Sequence, residues 1–544
     1  MTHEIEHSGQ GGILSNKTLW LIVGLAFFVV VGFILPTPPS LVEVVDEQGI
    51  ASKMMDWGIA DDVDHAADKA MTVLGIIPMA IIFFATEALP IGLTGILMPL
   101  LAYFLALLPR GMIGETFAGD APLFLLGVLA MGVAVVDVGL HKRLATWILG
   151  WTKGFYMPIF VLCISMAVIG SFISAHAMCA FMTPVMMAVY FGVVSEKSTG
   201  GRVDHDPNLA KFLLFALCFS LNVGGVGSPA AGGRNVIMMG FWQGYDVPMD
   251  FFTWMTYGFP MVPVLGLLVA AYMLVFFSKK LRYKNLTPGL TAMKEETRKM
   301  GAMKYEEYVT LAMLVVILGL WIFGDLGLGG PALLALIVPV IFKTTAWNKI
   351  LGGISWDAWF MYCGALTLGA LLKETGAALW LAKSVMGILS YAGMSQGFGL
   401  WVGLSSFSGI MTNFMSDAGT TALLGPIVIP MGIMSGVEGE PWASGMAVAF
   451  ATSFAHFLIV GTPNNAIVYG LGTYPDTGER AIAPIDFVKY GFALWVISLV
   501  VVWVLAFGIM FKLVGFPPEV LETATQVFEA GAADISDAAE GAAH

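Results

Sequence analysis

Residues 18–36 read TLWLIVGLAFFVVVGFILP without one charged side chain, and apolar runs of that kind recur down the chain. A run of roughly 20 such residues, wound as a helix, matches the hydrocarbon core of a bilayer. In hydrocarbon every backbone N–H and C=O must find its partner inside the protein, so only helices and closed barrels span. Unalternating runs of this length select helices. Candidate spans fall at 18–36, 71–88, 90–108, 121–140, 209–245 and 254–277, then at 308–324, 329–343, 356–373, 443–472 and 487–514. Two further stretches, 155–193 and 391–433, are apolar but interrupted by glycine, proline and polar residues. The expected fold is an all-α polytopic membrane protein of about eleven transmembrane helices with two irregular segments.

Composition agrees: 58% of the 544 residues are hydrophobic and 12% are charged, against about 25% charged in a soluble domain. No cleavable signal pattern precedes the first run, which is expected to stay as a helix. The four cysteines (Cys163, Cys179, Cys218, Cys363) lie in apolar segments without CxxC spacing and read as small core residues rather than a disulfide or metal framework. The net charge of −12 comes largely from EVVDEQ, DDVDHAAD and the C-terminal tail, and it gives nucleic-acid binding no support.

The charged connector KKLRYKNLTPGLTAMKEETRKMGAMK holds lysine or arginine at 279, 280, 282, 284, 294, 298, 299 and 304. The positive-inside rule places it in the cytoplasm. Counting spans outward from it puts the N-terminus and GLHKR (139–143) inside, and the acidic 37–70 loop and the C-terminal tail outside. The expected location is the cell inner (plasma) membrane.

Internal similarity is visible at three landmarks in the same order. VGLHKRLATWILG (138–150) parallels TGAALWLAKSVMG (375–387). SAHAMCAFMTP (174–184) lines up with SDAGTTALLGP (416–426). GSPAAGGRNVIMMG (227–240) echoes VGTPNNAIVYG (460–470) around Asn235 and Asn465. The chain therefore divides into a tail, first helix and outer loop (1–70), a first repeat (71–277), a connector (278–307), a second repeat (308–514) and an acidic tail (515–544). An odd number of spans per repeat gives the second the opposite polarity, the inverted architecture of many secondary transporters, whose site lies between broken helices. Irregular backbone at that depth is tolerated only where it is buried or lines a cavity, which points to the Gly/Pro-rich landmarks.

Three segments carry a family resemblance: TEALPIGLTGILMPLL (86–101), GLHKRLA (139–145) and GTPNNAIVYG (461–470). The chain resembles the divalent anion/sodium symporter family of di- and tricarboxylate and sulfate transporters over nearly its whole length. The resemblance implies a re-entrant hairpin in each half with a Ser-Asn-Thr tip, a following broken helix with a Pro-Asn motif, and binding of substrate carboxylates and sodium ions where tips and breaks meet. It also implies an elevator-type transport domain moving against a dimeric scaffold. Carried over by position, the tips are Ser174-Ala175-His176 and Ser416-Asp417-Ala418, so only the serines keep the family residue. The breaks keep Gly225, Asn235, Gly461, Thr462, Pro463 and Asn465, with Arg234 and Asn464 where proline is usual. The implied substrate residues are those two tips together with Arg234, Asn235, Thr462, Pro463 and Asn465. The implied sodium residues are Ser174, Gly225, Thr412, Ser416, Asp417 and Gly461.

The departures change the chemistry. An unpaired charge at membrane depth costs roughly 2.5–3.5 kcal/mol on insertion scales, so Arg234 and Asp417 are functional candidates by default. Arg234 has a forked donor geometry suited to a carboxylate, sulfate or sulfonate; it either holds the anion or pairs permanently with Asp417. Asp417 can supply an oxygen to sodium, carry a coupling proton, or neutralise Arg234. His176 can donate to an anion or take up a proton, and its plainer reading is a neutral ring satisfied by a backbone carbonyl. His456 reads as a packing histidine and Glu87 as a structural or scaffold-contact residue. HEIEH (3–7) satisfies the zinc-protease pattern but sits in a short polar tail without a helix or third ligand, and no phosphate-binding loop is present. An intramembrane hydrolase on His3, Glu4 and His7 is the competing class; an enzyme is not expected. The expected function is secondary active import of a small divalent anion, a dicarboxylate, coupled to sodium ions, with no organic cofactor. The alternative is proton-coupled or exchange transport of another anion such as sulfate or a sulfonate. The expected partners are the lipid bilayer and a second copy of the chain.

Overall fold

The structure, a computed structural model, describes residues 16–515 apart from 197–202, 248, 300, 325, 436 and 438. HEIEH and the acidic tail beyond 515 lie outside the described residues. Every long element among those described is a helix.

α1 (Lys17–Val29) continues as a π-helical turn to Ile34. The 37–70 loop is itself partly helical, at Pro39–Glu47 and Ile50–Asp56. α2 (Val63–Thr86) starts where the Asp62 side chain accepts the His65 N–H at 2.7 Å, the usual N-cap arrangement. α3 (Ile91–Phe104), α4 (Asp120–Val138) and the short α5 (Leu140–Gly150) follow. α6 (Tyr156–Gly170) and α7 (Ala175–Glu196) form a hairpin, and α8 (Pro207–Gly224) and α9 (Gly233–Gly244) are the two halves of one broken helix. α10 (Met261–Phe277) closes the first half.

The second half repeats that order. α11 (Tyr305–Phe323), α12 (Gly329–Ile341), α13 (Trp356–Glu374) and the short α14 (Ala377–Tyr391) precede a second hairpin, α15 (Gly397–Phe414) and α16 (Asp417–Met434). A second broken helix follows, α17 (Glu440–Ala451) and α18 (Pro463–Leu471), and then α19 (Pro484–Val501). The correspondence reaches single residues. Gly139 (φ 81°) and Gly376 (φ 79°) make the same left-handed turn into α5 and α14, a conformation open to glycine and costly for other residues. Each break contains one 3₁₀ turn, at Pro229–Ala231 and at Ile459–Gly461.

Among the described residues nine helical segments are long and apolar enough to cross a membrane. Ile91–Phe104, Tyr156–Gly170, Gly329–Ile341 and Ala377–Tyr391 are apolar but shorter. The 15 residues of α6 reach about 22 Å at 1.5 Å per residue, short of a core of about 30 Å. The chain turns from α6 into α7 between Gly170 and Ala175, which makes the irregular stretch at 155–193 a hairpin. Phe104, Val275 and Ile388 stand 80%, 74% and 71% exposed, as outward faces solvated by lipid do. The chain is a multi-pass membrane protein.

Candidate substrate-binding site

Four helix N-termini meet at one cavity of about 910 Å³. α7 brings Ser174, Ala175 and His176, α16 brings Ser416, Asp417 and Ala418, α9 brings Gly232 and Gly233, and α18 brings Pro463. The opposite wall is aliphatic, with Ile91 from α3 and Leu125, Val128 and Leu129 among its α4 residues. Helix N-termini present unpaired N–H groups and a partial positive charge, which favours an anion at the cavity floor, where the one carboxylate, Asp417, is met by Arg234.

The tips are short because each second arm starts on a capping serine. Ser174 Oγ accepts the Ala177 N–H at 3.4 Å, and Ser416 Oγ accepts the Gly419 N–H at 3.1 Å. Capping explains why serine is the tip residue that both hairpins keep. Three residues before each serine, a polar side chain ties the hairpin to the break of its own half. Ser171 Oγ donates to the Gly224 carbonyl at 2.9 Å, and Asn413 Oδ1 accepts the Phe457 N–H at 2.9 Å. The close approach has a steric condition at Gly461, where a Cβ would lie 2.8 Å from the Thr412 carbonyl oxygen.

The residues standing where the family resemblance has proline reach across to the tip of the other half. Arg234 Nη1 donates to Asp417 Oδ2 at 2.5 Å, and its Nε donates to Ser453 Oγ at 2.9 Å. Asn464 Oδ1 meets His176 Nδ1 at 2.8 Å. The tips and the residues facing them thus depart from the family pattern together, in two matched cross-links. Asp417 is also held by the Ala418 N–H at 2.7 Å.

Asn235 and Asn465 make one clamp twice. Asn235 Nδ2 donates to the carbonyls of Gly225 (2.8 Å) and Ser228 (2.7 Å). Asn465 Nδ2 donates to those of Ala455 (2.6 Å) and Leu458 (2.7 Å). Each amide closes two carbonyls that the broken helix leaves without helical partners, as buried backbone requires. The acceptor ends differ. Asn465 Oδ1 accepts from Asn222 Nδ2 and Cys218 Sγ, each at 3.1 Å, whereas Asn235 Oδ1 is buried without a hydrogen-bond partner among the described residues.

Of the residues named from sequence, Ser174, Ala175, His176, Ser416, Asp417, Ala418 and Pro463 line the cavity. Arg234 lies behind its floor, the guanidinium packed on Gly225 and Gly232. Asn235, Thr462 and Asn465 are buried in the breaks. Thr412 Oγ1 donates to the Thr452 carbonyl at 3.1 Å. His456 is fully buried between Asn222 Nδ2 and Ser498 Oγ, each at 3.4 Å. Glu87 is exposed at the left-handed end of α2. The cysteines are all free and buried. Sequence reasoning did not single out Asn222, Asn413 or Ser453. Asn222, two residues before a double glycine in the apolar run LLFALCFSLNVGG, carried the available signal.

A cavity floored by four helix N-termini from two matching hairpins and two matching broken helices, inside a multi-pass bundle, is the candidate site of a membrane transporter. Residues 81–449 match the family model described as CitMHS, citrate transporter. An uncharacterized transporter of Haemophilus influenzae is 27% identical over 454 residues, covering 80% of this chain and 90% of that one. The sodium-dependent dicarboxylate transporter SdcS of Staphylococcus saprophyticus is 27% identical over 436 residues, 75% of this chain and 82% of that one. The solved YdaH transporter of Alcanivorax borkumensis shares the fold at a TM-score of 0.51 and 14% identity, over 76% of this chain and 91% of that one. The chain belongs to the CitMHS citrate transporter family, a family that fits the symporter resemblance carried by its motifs.

Proposed function

We propose that the protein imports dicarboxylates across the inner membrane by sodium symport. The observation that carries this reading is the convergence of four helix N-termini on one cavity, which offers two carboxylates a positive field from both halves of the chain. The name of the Staphylococcus relative supports both the substrate class and the ion.

Sodium takes hard oxygen ligands, and the breaks supply them. The proposed seats are Ser174 with Gly225 in the first half, and Thr412, Ser416, Asp417 and Gly461 in the second. Asn235 Oδ1, buried and without a hydrogen-bond partner among the described residues, supports a cation beside Gly225. Arg234 and Asp417 cancel each other's charge, so a dianion needs co-bound cations to be carried through hydrocarbon.

In this reading the chain makes about eleven crossings in two inverted repeats, 71–277 and 308–514. The cavity mouth is set by Asp137 and Lys349, paired at 2.7 Å. It lies at the end where Arg143 of α5 donates to the Gly301 and Ala302 carbonyls of the basic connector. With the connector inside, the site faces the cytoplasm, the N-terminus is cytoplasmic and the C-terminus is outside. A second cavity of about 470 Å³ lies at the far end of α9, between Tyr245, Lys373 and Glu374. Tyr362, whose hydroxyl donates to the Val236 carbonyl at 3.0 Å, stands between the two cavities. Hairpins and broken helices move together along the aliphatic wall of α3 and α4, elevator-fashion, in a homodimer.

Reciprocal stabilisation tests the coupling in purified protein. Succinate raises the melting temperature in sodium buffer and fails to do so in choline buffer, since two ligands that bind cooperatively each require the other. Equal stabilisation in both buffers overturns sodium symport.

A further inference from the structure

We propose that His176 reads a hydroxyl group on the substrate, because Asn464 locks its ring with the bare nitrogen turned to the cavity. The inference rests on the dicarboxylate reading and adds a selectivity to it.

The lock follows from donor and acceptor counting along one buried chain. Asn465 Nδ2 donates to two backbone carbonyls, Ala455 at 2.6 Å and Leu458 at 2.7 Å. A carbonyl only accepts, so that amide has one orientation and Oδ1 is its acceptor. Asn222 Nδ2 donates to that Oδ1 at 3.1 Å, which fixes Asn222 in turn. Asn222 Oδ1 receives Asn464 Nδ2 at 2.8 Å, which fixes Asn464. The atom that Asn464 offers to His176 is therefore its carbonyl oxygen, 2.8 Å from Nδ1, and Nδ1 must carry the hydrogen. A neutral imidazole has one N–H. Nε2 is left with a lone pair, and it meets no protein partner among the described residues although His176 lines the cavity.

A lone pair facing the cavity rejects a carboxylate oxygen and accepts an O–H. In its neutral form, with Nδ1–H held by Asn464, the ring does not serve as the anion donor that the sequence suggests; the helix N-termini hold the carboxylates and Nε2 takes a hydroxyl between them. Position 464, where the family resemblance has proline, becomes a positioning residue that sets the tautomer. The preferred substrate class is a hydroxylated dicarboxylate.

The test compares L-malate with succinate, which differ by one hydroxyl, as labelled substrates in sodium-driven proteoliposome uptake. At about pH 8 both are dianions, so a protonated carboxyl cannot supply the O–H. The expected wild-type result is a KM for malate about tenfold below that for succinate, the effect of one hydrogen bond. In His176→Phe the ratio falls to about one, and in Asn464→Leu, where either tautomer forms, it falls by several-fold. A structural role alone lowers uptake of both substrates and leaves their ratio unmoved. Equal KM values in the wild type, which need no variant, overturn the proposal, as does an unchanged ratio in a folded His176→Phe protein. Uptake of neither acid fails the dicarboxylate reading instead.

Discussion

Arg234 and Asp417 carry the largest single electrostatic commitment in the site. Their side chains are 6% and 11% exposed, so each depends on the other for its charge. Removing one partner of such a pair leaves an uncompensated buried ion, at a cost of about 3–5 kcal/mol. Arg234→Ala is therefore expected to lower unfolding stability by that order as well as uptake, and Arg234→Ala combined with Asp417→Ala recovers a large part of the stability. Denaturant unfolding in detergent reads both; a single variant as stable as the wild type means that the charges are not paired in the membrane. The sequence put Arg234, Asp417 and His176 within one candidate site, since ionisable residues stand out in apolar runs, and pairing was one of the readings it left open. Asn222, Asn413 and Ser453 were not legible. A single amide or hydroxyl in an apolar helix looks the same whether it faces lipid, a packed neighbour or a broken backbone, and only the fold decides which.

At the level of elements, each break is a length of backbone without helical partners, and one asparagine closes it. Asn465→Ala leaves the Ala455 and Leu458 carbonyls unpartnered and also strands Asn222 Nδ2 and Cys218 Sγ. Asn235→Ala strands only the Gly225 and Ser228 carbonyls. At about 1–3 kcal/mol for a buried group left unpaired, Asn465→Ala is the more destabilising change in sodium-free buffer. Asn235→Ala is expected to reduce the rise in melting temperature that sodium gives, whereas Asn465→Ala keeps that rise. An undiminished sodium effect in Asn235→Ala removes Asn235 Oδ1 from the sodium seat. The repeat that reveals this symmetry was legible in the sequence from three short landmarks, and the interrupted stretches 155–193 and 391–433 became the two hairpins. Hydropathy did not show the helices at Pro39–Glu47 and Ile50–Asp56. Their charged faces read as loop, and their apolar faces, with Leu41, Val45 and Met54 fully buried, find partners only once the bundle has formed.

Across the whole molecule, both halves line one cavity and each holds the other's hairpin tip. Arg234 of the first half grips the second tip, and Asn464 of the second half grips the first. The halves are thereby joined at the cavity itself. A dianion crossing alone carries two charges into low dielectric, and co-bound cations remove that cost. The central claim is thus that the sodium gradient, with no help from a proton gradient, supplies the work. Uptake of labelled succinate into proteoliposomes, under sodium and pH gradients imposed one at a time, tests it most directly. An inward sodium gradient at equal pH is predicted to drive accumulation, and a pH gradient in sodium-free buffer is predicted to drive none. Accumulation driven by the pH gradient without sodium contradicts the account.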